Sequence, residues 1–549
     1  MKDCSNAGVD KELTTKLFNT KIYNHLNFNS MNKFKLFPLA LAAFAFSACT
    51  SEDAVENNPN VEGVKSYVAV NINNVGAGGT RADGATYENG TVAESKINTI
   101  RFYFFTSEGA PYKLAEGRNW LELSPDQMTA STGNVENITN SMLVIQGKDM
   151  AYPQSMMAVV NPETIENGKL TDFMTKSQVE GVVTTQNFNG QSATASDFVM
   201  TSSVYANGKD KVWTSDISGH VALSEDEAKA DPVDIYVERV AAKITSTASG
   251  ATESKFKVGE TATGTPVYAM IKGWGIAKEN TTANLIKVIV PTWTEAAIGF
   301  NWNDANFYRS YWETTPNNDG TYKSWADYTS TAIGDVYYTA PNTSVAETNR
   351  PIYVAAAQLV DAAGNPLEIS KYKGVQYLSE NDVKKVILNE NKNFFKVVST
   401  TAAGNSYETL DPADLVFVVD AHKPYEVKAQ VKDGVVVYQK TGETYVVATD
   451  AANAAYGANN AVIYKDGMTY YWTSVKHLGA AGKTGEFGMV RNHFYQVDVT
   501  KITGFGTAVY DKNTDFVPTT PEDEPTTYLA ARINVLSWRV VANGVELGK

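Results

Sequence analysis

The sequence predicts an all-β protein made of antiparallel sandwiches, and three observations carry that reading. Run after run places apolar residues at alternate positions, the period of a half-buried strand. Turn-forming pieces such as "TSEG" (106–109) and "KDG" (432–434 and 465–467) separate the runs. Helical candidates are few, "SEDEAKA" (224–230) being the clearest, so the strand–helix alternation of a parallel βαβ sheet is missing. The chain has 549 residues, 43% hydrophobic and 11% aromatic, ample for two or three domains with real cores.

Taken in order, the first thirty residues are polar and carry no export signal. From Met31, "MNKFKLFPLALAAFAFSAC" offers basic Lys33 and Lys35, an apolar run from Leu36 to Phe46, and small residues before Cys49. That is a secretory signal, too short to stay as a membrane span. Met31 is therefore the expected start, residues 1–30 a mis-called extension and 31–48 a lipoprotein signal. "FSAC" (46–49) has the form of a lipobox, with Phe46 where Leu is usual. Lipidation of Cys49 is expected, and ordinary signal cleavage is the alternative. The polar "TSEDAVENNPN" that follows reads as a tether. The other cysteine, Cys4, lies in the extension, so no disulfide is expected in the exported chain.

"SYVAVNINNVGAGGTRADG" (66–84) reads as a strand running into a hinge. Val68, Val70 and Ile72 form one apolar face, and a glycine-rich loop with a single arginine, Arg81, ties that strand to the body. Strands are then expected in "KINTIRFYFFTSEG" (96–109), "SMMAVVNP" (155–162), "DFVMTSSVY" (197–205) and "VDIYVERVAAKITSTA" (233–248). A Ser/Gly/Thr-rich change of texture near Gly250 marks a domain boundary. Beyond it come "TPVYAMIKGWGIAK" (265–278), "LIKVIV" (285–290), "RPIYVAAAQLV" (350–360), "DLVFVVD" (414–420), "YEVKAQVKDGVVVYQK" (425–440) and "AVIYKDGMTYYWTSVKHLG" (461–479).

The end of the chain mirrors its beginning. "VPTTPEDEPTT" (517–527) is an extended acidic spacer. After it, Leu529, Ala531, Ile533 and Val535 alternate with Ala530, Arg532 and Asn534. The phase then flips to Leu536, Trp538 and Val540, which predicts a bulge or twist. This is a strand on a tether, with no sequence neighbour to pair with.

Chemistry-bearing patterns are sparse. The five histidines, His25, His220, His422, His477 and His493, form no i,i+4 pair and no HExxH. GxSxG is missing, and the "GAGGT" loop lacks a phosphate-cradling lysine. A formal net charge of −14 argues against a nucleic-acid partner. Neither cofactor, metal nor enzymatic activity is expected. The aromatic run "FNWNDANFYRSYW" (300–312) could stack on sugars, although packing is the commoner use of such rings.

"YKDGMTYYWTSVKHLG" (464–479), "GMVRNHFYQVDVTKITGFG" (488–506), the acidic spacer and "INVLSWRV" (533–540) together resemble the fimbrillins of Bacteroidia, the type V pilins. "VERVAAKITSTA" (237–248) and "IKGWGIAKENTTANLIKV" (271–288) look like family elements too, and Val490-Arg491-Asn492 reads as part of a specific strand. The nearest pattern is that of the major structural subunit of the minor (short) fimbria. Ser51-Glu52-Asp53 resembles the acidic signal that sends some Bacteroidia lipoproteins to the surface.

The resemblance implies two transthyretin-like β-sandwich domains and export as a lipoprotein. It also implies a cut by an arginine-specific surface protease between Arg81 and Ala82. The first strand, with Val68, Val70 and Ile72, then leaves, and a donor strand from another subunit fills its groove. That donor carries Leu529, Ala531, Ile533, Val535, Leu536, Trp538 and Val540. Arg101, the nearest rival site, lies within a strand and should be protected. The implied organisation is 49–81 lipidated tether and removable strand, 82–250 N-terminal sandwich, 251–516 C-terminal sandwich, and 517–549 spacer and donor strand. The function expected is the shaft of an adhesive fimbria, with copies of itself, tip and anchor subunits, the protease and, through the lipid, the outer membrane as partners. A tip or anchor subunit, or a surface glycan-binding lipoprotein, is the alternative.

Overall fold

The alternating runs become strands, but their order in space departs from their order in sequence. The computed structural model describes residues 65–74, 86–87, most of 90–516, then 528–536 and 539–543; residues 1–64, 75–85, 88–89, 290–311, 517–527 and several shorter stretches lie outside the description. In chain order come β1 (Lys65–Asn74), a two-residue β2 (Thr86–Tyr87), β3 (Ile100–Phe105), β4 (Trp120–Leu123) and β5 (Thr129–Ser131). Then follow β6 (Asn137–Gln146), β7 (Ser155–Val160), β8 (Met200–Ser202) and β9 (Val233–Arg239). All of these except β2 share one sheet, in the order β4-β3-β7-β8-β9-β1-β6-β5.

The remaining strands used below are β10 (Ala242–Thr247), β11 (Pro266–Ala277), β12 (Val336–Thr339) and β13 (Ile352–Val360). They continue with β14 (Met468–Ser474), β15 (Phe494–Thr503), β16 (Tyr528–Leu536) and β17 (Arg539–Asn543). A second sheet runs β2-β17-β16-β15-β10-β12, and a third contains β11-β13-β14. Ile244, Tyr495, Val497 and Val499 of the second sheet pack on Trp274, Ile276, Tyr353 and Ala355 of the third, the inner faces of a sandwich. Most pairings are antiparallel; β1 with β9 and β10 with β15 are parallel.

The first sheet is covered on both faces. Phe102, Phe104, Met156 and Ala158 join Val68 and Val70 on one side. Tyr103, Phe105, Met157 and Val159 join Leu285, Ile286, Trp312, Tyr338 and Val490 on the other. Two-sided burial explains why "SMMAVV" is apolar throughout and does not alternate. The second cluster draws residues from both sides of Gly250.

Some expectations change. "LIKVIV" is not a strand: Leu285 and Ile286 are buried coil, and Ile289 makes only an isolated bridge to Glu313. A short unalternating apolar run signals burial, not pairing. Val490-Arg491-Asn492 is not a strand either but the bend before β15. "VDIYVERVAAKITSTA" breaks at Val240–Ala241 into β9 and β10, which belong to different sheets. The 465–467 turn passes between two sheets. It carries the chain from strand Ala461–Tyr464, paired with Ile369–Tyr372, to β14 of the third sheet.

Helix α1 (Glu225–Ala230) falls within the predicted segment. The Ser224 hydroxyl accepts from the Glu227 amide, and Glu225, Asp226 and Glu227 complement the positive end of the helix dipole. Two further helices, α2 (Glu380–Glu390) and α3 (Thr449–Tyr456), were not foreseen. Val383, Ile387 and Tyr456 pack them into the cluster under the Ile369–Tyr372 and Ala461–Tyr464 strands. The i,i+4 spacing of Val383 and Ile387 was the available signal.

Candidate functional site

β1 is not an edge strand. It pairs antiparallel with β6 along its whole length, from Lys65↔Gln146 to Asn74↔Asn137, and parallel with β9 from Val70↔Val233 to Asn74↔Val237. Val68 and Val70 are 0% and 1% exposed. Ile72 is flanked at the backbone by Thr139 and Ile235. Among the described residues β6 pairs only with β1 and β5, so β1 is there the hydrogen-bonded link between β5-β6 and the rest of the sheet. Taking β1 out would leave two facing edges with unpaired backbone groups, separated by one strand's width.

The last strand does find a partner within its own chain. β16 lies antiparallel on β15, from Phe494↔Leu536 to Thr503↔Tyr528. The register shifts between Val499 and Lys501, so the bulge belongs to β15 and not to the tethered strand. After β16 the chain turns back, and β17 pairs with β16 through Ile533↔Asn543, Asn534↔Ala542 and Val535↔Val541 with no register shift. In this register odd-numbered positions keep one phase through the turn, so Leu536 and Val540 stay in the opposite phase to Ile533 and Val535. Leu529, Ala531, Ile533, Val535 and Leu536 are thus on β16 and Val540 is on β17, while Trp538 lies outside the described residues.

The two strand sites are joined through the β9–β10 crossing, where sequence reasoning saw no functional residues. There Glu94, 1% exposed, meets the Lys243 ammonium at 2.8 Å and accepts from the Tyr338 hydroxyl and, at 2.8 Å, from the Thr91 amide. Burial alone would raise the Glu94 carboxyl; the Lys243 charge, with hydrogen bonds from Lys243, Tyr338 and Thr91, outweighs it and holds the group below its usual value. Arg239 donates to the Glu94 carbonyl and the Ser95 hydroxyl, both at 2.8 Å, and to Asn492 Oδ1 at 3.3 Å. The Asn492 amide donates to the Ala241 carbonyl at 2.7 Å.

One turn of chain away, Arg491 and Glu313, both 0% exposed, pair at 2.7 Å, and Arg491 also donates to the carbonyls of Asn284 and Leu285. Lys287 and Glu238 pair at 3.2 Å, equally buried. The available signal was charge inside apolar runs: Glu238, Arg239 and Lys243 in "VERVAAK", and Arg491 after "GMV". Such charges are affordable in a core only when paired.

Arg101 sits in β3 between β4 and β7, its guanidinium 2.7 Å from Glu122 and over the Trp120 ring, within fully paired backbone. Of the "FNWNDANFYRSYW" run, Trp312 is core, packed near His477; residues 300–311 lie outside the description. Cys49, Arg81 and Ala82 also lie outside it. Among the described residues no group of His, Cys, Asp or Glu could hold a metal ion, and no helix is long and apolar enough to cross a membrane.

Residues 462–543 match the family model described as "Major fimbrial subunit protein type IV, Fimbrillin, C-terminal". That span takes in β14, β15, β16 and β17. The search of curated proteins finds no match to the sequence. Among solved structures, the chain is similar to a fimbrilin (fimA) from Porphyromonas gingivalis W83, at 14% identity over 85% of this chain and 96% of that one, with a TM-score of 0.35. It is similar to a fimbrial assembly protein from Parabacteroides distasonis ATCC 8503, at 9% identity over 69% and 100%, TM-score 0.29. It is also similar to the tip fimbrial protein Mfa3 from Porphyromonas gingivalis with C-terminal truncation, at 10% identity over 85% and 99%, TM-score 0.28.

Proposed function

We propose that this chain, which carries a fimbrillin C-terminal region at 462–543, is the shaft subunit of an adhesive surface fimbria. In this reading it is exported as a lipoprotein on Cys49 and held at the outer membrane. An arginine-specific surface protease cuts between Arg81 and Ala82, and the chain polymerises by strand exchange. β1 leaves and β16 of another copy takes its place. Tip and anchor subunits would occupy the ends of the polymer, and the two sandwiches would meet near residue 250.

One observation carries the proposal. β1 is an interior strand joined to the next described residues only through 75–85, so a cut there converts a core strand into a separate peptide. The vacated site would offer backbone partners on both flanks, the requirement for strand addition. The sequences match in kind as well: Val70-Asn71-Ile72 of β1 and Ile533-Asn534-Val535 of β16 share one alternation. Arg101 would be protected from the protease, since cleavage needs unpaired backbone that the protease can bind and β3 is paired with β4 and β7 on its two sides.

The test treats purified precursor and its Arg81→Ala variant with an arginine-specific protease. New N-termini are read by mass spectrometry and assembly by size. A terminus at Ala82 with growing polymers, both abolished by Arg81→Ala, is the expected result. Cleavage at Arg81 that leaves only monomers overturns the shaft assignment.

A further inference from the structure

The outer edge of the C-terminal hairpin is paired with β2, the first strand described after residues 75–85. β2 pairs with β17 through Thr86↔Val540 and Tyr87↔Arg539, and among the described residues β17 pairs otherwise only with β16. We infer that β2 is a clasp, keeping the β16–β17 hairpin docked on its own sheet until the chain is cut between β1 and β2. The inference rests on the strand-exchange reading for its purpose, though not for its test.

The physical argument concerns how β2 is held. Two paired residues are too few to fix a strand by themselves. In the intact chain, however, both ends of the segment are anchored. On the N-terminal side β1 ends at Asn74, locked between β6 and β9. On the C-terminal side, Thr91 and Glu94 bond each other at the β9–β10 crossing, where Glu94 pairs with Lys243. The residues on either side of 75–90 are thus already fixed by other parts of the fold. β2 then acts at a high effective concentration beside β17.

A cut anywhere in 75–85 removes the N-terminal anchor. β2 becomes part of a free-ended tail, whose two-residue pairing must hold against the full freedom of that tail. The hairpin loses the strand on its outer edge, and among the described strands β17 is then paired with β16 alone. One cleavage would therefore ready both halves of an exchange: the site that β1 leaves and the strand that fills one. Before the cut, the hairpin would be held back from premature pairing with other copies.

Hydrogen exchange at residues 533–543 tests this in dilute full-length protein, below the concentration at which polymers form. Three forms are compared: the intact chain, a chain cut at a site-specific protease sequence inserted between Gly78 and Gly79, and intact Thr86→Pro/Tyr87→Pro. The prolines remove the β2 amides without touching β1 or the hairpin. Exchange at 533–543 is expected to rise at least ~10-fold on cutting, an opening free-energy change of about 1.4 kcal/mol. A similar rise is expected in the uncut proline variant, with β13 amides unchanged in it. Equal exchange in the intact chain and the uncut proline variant overturns the clasp, whether or not the protein polymerises. Faster exchange with no polymer after native cleavage keeps the clasp and removes the strand-exchange reading.

Discussion

Replacing Val68 and Val70 with alanine separates a permanent core strand from a temporary one. Both side chains are essentially without solvent contact, in a cluster with Phe102, Phe104, Met156 and Ile235. Each Val→Ala change removes the equivalent of two buried methylene-sized groups, about 1.6 kcal/mol of transfer free energy. A residual cavity adds to this in a close-packed site. The two positions share one face, so their effects overlap, and the double variant should lose about 3–5 kcal/mol. The assay is urea denaturation of the uncut precursor, followed by denaturation of polymers assembled after cleavage. If β1 leaves, the precursor loses about 3–5 kcal/mol and the polymer loses nothing, because the substituted residues are no longer in it. The variant should also release β1 more readily once cut, by roughly 100-fold for 3 kcal/mol. Polymers that soften by as much as the precursor would refute the reasoning, since β1 would still be part of the assembled subunit.

Three other outcomes are expected. Because the folded Glu94 carboxyl lies below its ordinary value of 4.5, its stabilising contribution is complete above the unfolded value and is lost as pH falls through the lower folded value. Thermal melts between pH 6 and pH 3 should therefore fall less steeply in Glu94→Gln than in the parent, and parallel curves would remove Glu94 as the source. Arg491→Met leaves Glu313 charged and buried, so urea denaturation should show a loss of about 3–5 kcal/mol; the double variant Arg491→Met/Glu313→Met should regain most of it, and equal losses in both would deny the pairing its role. A Cβ on Gly250 would lie 1.7 Å from the carbonyl oxygen of Thr500, the residue at the β15 bulge. Gly250→Ala should cost about 3 kcal/mol in chemical denaturation and loosen hydrogen exchange in β15, and a variant as stable as the parent would contradict that packing.

Much of this architecture could be read directly from residue patterns, because strand alternation records a local fact: which side of the backbone faces a core. Val68 and Val70 declare a buried face wherever they end up, and Ser224 with its following acids declares a helix start. The final strand was legible for the same reason, from Leu529 to Val535. Pairing partners were not. "LIKVIV" is apolar because the space between the first sheet and its cover is apolar, and nothing in six residues distinguishes such coil from a strand. The 465–467 turn was legible because turn chemistry fixes how a chain bends, while the sheet each arm joins depends on distant partners.

The sequence by itself determined the class of fold, the position of the first strand and the existence of a last one beyond the acidic spacer. Only the tertiary structure decided that β1 is an interior strand with β6 and β9 on its flanks, and that the last strand is docked on β15 as half of a hairpin. The tertiary structure likewise decided that Glu94, Arg239 and Lys243 gather where β9 passes into β10, and that Glu313 and Arg491 form a separate buried pair. The physical reason is the range of the interactions. Periodicity and turn chemistry act within a few residues and are written along the chain. Strand pairing and buried charge compensation join residues as far apart as Glu94 and Lys243, or Glu313 and Arg491, and their partners are named only when the chain has closed on itself.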